Sequence, residues 1–240
     1  MTVDEFDIRF DILYNNLASN AAPALNAYEK SVFLSQAQRD IIIELYNGRN
    51  VSGISFESTE EARAYLRDLL GVKQLIEPIS TEDGIIPISN WGRSKFKEYI
   101  LDLEDTNWLA NVLFITYEEV SYSSECDCIK NTVPIVTPVK QDTLHELFRN
   151  PFKMPSKNRV FRVDANKTIY LYSIYPIDKY SIFYIEYPKP IILKGINDST
   201  LTIDKVQCLD SNISTGSCPE ILHQVILERA VALAKKAYIG

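Results

Sequence analysis

Apolar residues recur every three or four positions over the first seventy residues, a spacing that predicts helices. Phe6, Phe10, Leu13 and Leu17 form one stripe. Thr2 to Glu5 precedes it as a capping box, in which hydroxyl and carboxylate satisfy each other's free backbone donors. Ser19 to Pro23 breaks that helix, and Asn26 with Glu29 offers a second cap. Tyr28 to Tyr46 follows as a long helix striped by Phe33, Ala37, Ile41 and Leu45, with Gly48 as its expected stop. Ser58 and Glu61 make a third capping box before a short helix, Thr59 to Leu70, closed by Gly71.

From Val72 the period shortens, and β-branched and aromatic residues cluster. Phe96 to Leu103 and Val112 to Tyr122 read as strands, and Pro134 and Pro138 interrupt a third extended stretch. Thr143 to Phe148 forms one or two helical turns before Pro151. Arg159 to Val163, Thr168 to Ser173 and Ser181 to Tyr187 are further strands, separated by turn signals such as Asp164-Ala165-Asn166. The end returns to helix after Cys218-Pro219, with Leu222, Ile226, Ala230, Leu233 and Ala237 on one stripe. The expected fold class is α+β. The N-terminal helices and the C-terminal helix form a helical bundle (1–72 plus 217–240), and an antiparallel, meander-like β-rich region (73–216) is inserted between them.

Composition narrows the function. The chain has 240 residues, 46% hydrophobic and 24% charged, which is enough to bury a core and argues against disorder. Thirty-two acids against 25 bases give a net charge of −7, which speaks against gripping nucleic acid by overall charge. Eight glycines leave little material for a Gly-rich phosphate loop, while 14 Tyr and 10 Phe favour strands and contact surfaces. The acidic first eleven residues predict no signal peptide, and no run of 18 apolar residues predicts a membrane span.

Candidate chemistry is sparse. Cys126, Cys128, Cys208, Cys218 and His223 are possible soft ligands, but their spacing does not match the two tight pairs of a zinc site, so no metal and no cofactor are expected. His145 and His223 are the available imidazole bases, and no nucleophile motif accompanies them, so no enzyme is expected. The carboxylate runs Glu60-Glu61, Asp102 with Glu104-Asp105, Glu118-Glu119 and Glu125 with Asp127 read as solvated surface. The most unusual segment holds Arg149, Lys153, Lys157, Arg159, Arg162 and Lys167 against one acid, Asp164, with Phe148, Phe152 and Phe161 interleaved. It is the candidate partner-binding patch, suited to an acidic protein surface or DNA phosphate. Protein contact is favoured, because the net charge repels DNA elsewhere.

The opening MTVDEFDIRFDILYNNLASNAAPALNAYEKSVFLSQAQRDIIIELYNG, the phrases NPFKMPSKNRVFRV and YSIFYIEYPKPIIL, and the close CPEILHQVILERAVALAKKAY carry a resemblance. They resemble the head–tail connector (neck ring or adaptor) proteins of crAss-like and related Bacteroidetes phages. Val72 to Thr137 matches none of these phrases. The resemblance implies a structural virion protein of the neck or tail, assembled in the host cytoplasm. It implies a homo-oligomeric ring of about twelve copies below the portal, a heterologous closed ring. Its partners would be the portal protein and other neck or tail proteins, with double-stranded DNA passing through the lumen without specific binding and no membrane. Two other readings stand beside it. One is a non-viral cytoplasmic module binding protein through an aromatic sheet face; the other is a small hydrolase using His145 or His223.

Overall fold

The computed structural model describes residues 1–15, 24–47, 64–76, 79–80, 97–102, 112–123, 129, 132–165, 168–196 and 198–238. Leu17, the Ser19–Pro23 break, Gly48, the Ser58–Glu61 box, Cys126, Cys128 and Lys167 lie outside them. The chain is α+β and forms two compact units. One comprises Met1–Leu70 with Tyr187–Gly240, the other Gly71–Glu186.

The discontinuous unit holds three long helices, α1 (Val3–Asn15), α2 (Ala27–Asn47) and α4 (Glu220–Tyr238). Local chemistry starts the first two. The Thr2 N–H donates to Glu5 Oε2 at 2.9 Å, and the Glu5 N–H to Thr2 Oγ1 at 3.3 Å. Asn26 and Glu29 repeat the device at 2.9 and 2.8 Å. Each box satisfies two donors that a helix start otherwise leaves free, worth about 1 kcal/mol per cap.

Burial follows the stripes with some drift. Phe6, Phe10 and Tyr14 of α1 are buried, whereas Leu13 is half-buried. On α4 the buried set is Leu222, His223, Ile226, Leu227, Ala230, Val231 and Ala234, and Ala237 is exposed. The Phe6 ring lies 5.1 Å from that of His223. The Arg229 guanidinium meets Glu44 at 2.6 Å, and the Tyr238 hydroxyl donates to Glu29 at 3.2 Å. Lys30 of α2 is buried between Asp7 and Asp11 of α1, 2.8 Å from each. Burial alone would lower its pKa, but the two carboxylates outweigh burial and leave it raised.

Two small sheets complete this unit. β10 (Asp198–Ile203) and β11 (Val206–Cys208) form a hairpin whose Asp204-Lys205 turn has positive φ at both positions, 47° and 70°. That is the turn whose twist suits a two-residue hairpin. Asp204 also accepts from Arg39 at 2.7 Å. β9 (Ile191–Ile192) pairs on one side with β12 (Ser214–Thr215). On its other side the neighbour is a helix. Ile191 N–H donates to Ser35 Oγ at 3.0 Å, Ser35 Oγ–H returns to the Ile191 carbonyl at 3.2 Å, and Leu193 N–H donates to Ser31 Oγ at 3.0 Å. Serines four apart on α2 thus meet residues two apart on an extended chain. The spacings match, because four helical residues rise about 6 Å and two strand residues about 6.6 Å.

The second unit is built on one eight-stranded sheet in the order β1-β8-β4-β5-β6-β7-β3-β2. Its strands are β1 (Leu70–Ile76), β2 (Ile79–Ser80), β3 (Lys97–Asp102), β4 (Val112–Tyr122), β5 (Ile135–Pro138), β6 (Arg159–Ala165), β7 (Thr168–Ser173) and β8 (Ile177–Glu186). The sheet curls, because Ile169 and Leu171 of β7 share one core cluster with Val120, Tyr180 and Ile182 of β4 and β8.

Several expectations are corrected here. The sheet is mixed rather than wholly antiparallel, since β5 and β6 run parallel, with Ile135 opposite Arg159 and Pro138 opposite Arg162. The cause lies between them. The turns expected over Thr143–Phe148 are a full helix, α3 (Gln141–Arg149), and a helical crossover is what returns a chain to a parallel neighbour. Gly71 does not close a helix. A 3-10 turn, Arg67–Leu69, runs straight into β1, and Gly71 sits in that strand. A Cβ there would stand 2.7 Å from the Tyr184 ring, so glycine admits the ring.

Candidate functional site

The basic segment begins at the end of α3. Leu144, Leu147 and Phe148 of that helix pack on Phe161, Val163 and Tyr172, with Phe148 5.5 Å from the Tyr172 ring. Asp142, His145, Glu146 and Arg149 are left on the exposed side. Asn150 then turns the chain. Its side-chain oxygen accepts from the Phe152 N–H at 3.0 Å, and its carbonyl accepts from Lys153 and Met154 at 2.9 and 3.0 Å. This is an Asx-type turn, in which a side chain stands in for backbone. Ser156 and Arg159 exchange both backbone hydrogen bonds, at 3.0 and 3.1 Å, around a Lys157-Asn158 tip. The Arg159 guanidinium reaches back to the Lys153 carbonyl at 3.4 Å.

The loop thereby holds Phe152 out of the fold at 92% exposure. Lys153, Lys157 and Arg159 are exposed beside it in sequence, as is Arg149 at the helix end. Four of the six cations singled out from sequence therefore lie on the surface of this unit, in the same segment as one exposed aromatic ring.

Arg162 points elsewhere. It is 8% exposed and binds Glu118 through Nη1 and Asp164 through Nη2, the latter at 3.1 Å. The Tyr180 hydroxyl, fully buried, donates to the other Glu118 oxygen at 2.8 Å. Glu118, expected to be part of a solvated acidic run, has a side chain only 8% exposed. Burial pushes its carboxyl above the usual range, with the Arg162 charge and the Tyr180 hydroxyl pulling the other way. Burial likewise pushes the Tyr180 phenol up. For Arg162, burial alone would lower the pKa, and the Glu118 and Asp164 charges reverse this. Strand alternation is the signal that separates Arg162 from the patch. It shares a face of β6 with Val160, a core residue, while Arg159 and Phe161 take the other face.

His223 and Cys218 are held in the interior of their unit. His223 is 3% exposed; its Nε2 donates to the Cys218 carbonyl at 3.1 Å, so Nδ1 accepts from the Met1 ammonium at 2.9 Å. Burial lowers its pKa. The Cys218 thiol is pushed up to about 12 by burial, which makes it a poor nucleophile and ligand. Among the described residues no three His, Cys, Asp or Glu side chains are placed to hold a metal ion. No helix among them is long and apolar enough to cross a membrane.

Two apolar features complete the surface. Between β4 and β5, which share the single pair Glu119–Ile135, a cleft of about 290 Å³ is lined by Tyr117, Val133 and Ile135 among others. Between α1 and α4 a groove of about 270 Å³ is lined by Leu13, Glu228, Val231, Ala232 and Lys235. Among the described residues none of these features forms a catalytic constellation, and what they offer is exposed apolar and charged surface.

Comparison with known proteins points to a family. Residues 1–239 match the family described as "Phage tail ring protein 3/4". "Ring protein 3" of Bacteroides phage crAss001 is 38% identical over 237 residues, covering 98% of this chain and 95% of the relative. "Ring protein 4/5" of the same phage is 31% identical over 253 aligned positions, covering 100% and 94%. The neck-connector resemblance read from the quoted phrases is thus shown, and it extends across the middle of the chain that those phrases did not reach. A chain that matches this family over residues 1–239 and aligns end to end with two phage ring proteins belongs to the phage tail ring protein 3/4 family, structural proteins of the bacteriophage tail.

Proposed function

We propose that this chain is the subunit of a closed homo-oligomeric ring in the neck of the virion, and that the ring docks below the portal as part of the channel for packaged DNA. The observation that carries the reading is the match over residues 1–239, with both relatives named as ring proteins and covered almost end to end. A subunit of this kind acts through its surfaces, and the described surface supplies them. The Arg149–Arg159 loop gives exposed cations flanking an exposed ring in sequence, and α1 and α4 carry an apolar groove between them. The ring has about twelve copies, the number the resemblance implies. The net charge of −7 suits a wall that DNA slides past without sticking. The patch docks the ring on an acidic surface of a neighbouring protein, and assembly takes place in the host cytoplasm.

Native mass spectrometry of the purified protein, alone and with the portal protein of its own virus, tests this. One high-order assembly, free or on the portal, is the expected result. A monomer that ignores the portal and the other neck proteins overturns it. DNA retention by the assembled ring should be weak and barely salt-dependent, whereas steep salt dependence would argue for phosphate contacts.

A further inference from the structure

Two unlike features of the surface fit each other. The first is a knob: Phe152, 92% exposed, fixed by the Asn150 turn and flanked in sequence by Lys153, Lys157 and Arg159. A large exposed ring held on an ordered loop marks a contact site, and aromatic anchors dominate the energetics of contact sites. The second is the groove between α1 and α4. Its floor is apolar, from Leu13, Val231 and Ala232. Lys235 at its edge is already committed to the Leu13 carbonyl at 2.8 Å.

The same two helices carry further apolar residues with nothing over them: Ile8 (60% exposed) and Ile12 (52%) on α1, Ile221 (71%) and Val225 (48%) on α4. Each pair is spaced i, i+4, so each forms a short stripe on one helix face. The acids exposed there are Asp4, Glu5, Glu220 and Glu228; Asp4 is paired with Lys194 at 2.6 Å and Glu220 with the Met1 ammonium at 3.6 Å. Glu5 and Glu228 have no cationic partner among the described residues; Glu228 accepts from the Gln224 amide at 2.8 Å. Arg9 is the one basic residue of α1, and the α4 cations fall in its last three turns.

We propose that Phe152 of one copy seats in the α1–α4 groove of the next copy, with Lys153, Lys157 and Arg159 opposite that copy's Glu5, Glu220 and Glu228. The occupant is a second copy of this chain because the cations beside Phe152 are opposite in sign to the unpaired Glu5 and Glu228. The chain owns both an exposed aromatic ring with cations beside it in sequence and an apolar groove whose one acid, Glu228, has no cationic partner among the described residues while its one base, Lys235, is bound to the Leu13 carbonyl, and Phe152 is uncovered in its own copy. Two different patches on one chain that fit each other make a head-to-tail contact, the kind that closes into a ring. The inference rests on the ring reading and adds which surfaces meet.

The test places a photo-crosslinking amino acid at position 152 and mixes isotopically light and heavy chains under assembly conditions. Mass spectrometry then identifies the partner peptide. The expected product joins position 152 of one isotope to α1 or α4 of the other. In parallel, Phe152→Ser should weaken subunit association by about tenfold or more, the scale of an interface anchor. K153E with K157E should do likewise and be rescued, at least in part, by E228K. All these positions are exposed, so an unchanged melting curve confirms that the variants fold. If the ring forms but position 152 links to the β4–β5 cleft, to the portal or to nothing, this contact is wrong and the ring reading stands. If no ring forms under any condition, both fall.

Discussion

Arg162 is the residue at which a charge matters most for stability rather than for contact. Its guanidinium, the Glu118 carboxylate and the Tyr180 hydroxyl are all buried, and Arg162 Nη1 and the Tyr180 hydroxyl each donate to Glu118. Arg162→Ala would leave Glu118 buried, with only Tyr180 and the surrounding core in place of its counter-charge. Breaking a buried pair on one side costs about 3–5 kcal/mol, because the desolvation of the orphan is no longer offset. At about 2–4 °C per kcal/mol for a chain of this size, the melting midpoint should fall by about 6–20 °C.

A companion variant separates the pair's net worth from the orphan's penalty. E118L with R162M removes both charges and should recover most of the loss, giving a coupling of a few kcal/mol in the double-mutant cycle. The pH dependence has a definite sign. A buried carboxyl whose folded pKa is raised takes up its proton early as pH falls, so the folded state gains relative to the unfolded one. The Arg162→Ala deficit should therefore be smaller near pH 5 than near pH 7.5, measured by thermal melts followed by circular dichroism. A deficit below about 1 kcal/mol, or singles that simply add to the double, would show that the pair is solvated and refute the reasoning.

Two further outcomes follow from named geometry. Gly216 has φ +84°, and a Cβ there would collide with the buried Gln38 side-chain oxygen and lie 2.9 Å from Ile191 Cγ1, so Gly216→Ala should cost about 2–4 kcal/mol in urea unfolding. His223 is held neutral by burial, with its folded pKa below the ordinary 6.5; its contribution is intact above that value and lost as pH falls through it. The urea midpoint should accordingly drop between pH 7.5 and 5.5, and His223→Gln should flatten the drop.

What could be read from the chain was local. Both described capping boxes close as their spacing implies, because every atom involved lies within three residues. The strand Val112–Tyr122 and the strand Thr168–Ser173 appear with the bounds their residue types gave. What could not be read was pairing. Nothing local to Ile135–Pro138 says that it lies parallel to Arg159–Ala165, since that depends on a helix crossing between them. Gly71 resembled a helix stop because a stop and a close aromatic approach both demand the absence of a side chain, and sequence cannot tell which neighbour imposes it. The patch was legible as composition but not as a surface. Counting cations joined Arg162 to Arg159, and only the two-residue period of a strand divides them.

The serines of α2 also bear on how copies of the chain behave when crowded. A short strand such as Ile191–Ile192 normally exposes one row of backbone donors and acceptors, and such rows recruit other chains into unplanned sheets. Here Ser31 and Ser35 occupy that row from the helix side. Because side-chain hydroxyls do the pairing, the strand presents no backbone template for a stray one to extend. The helix works as an edge guard, so copies of the chain are kept from aggregating through this strand.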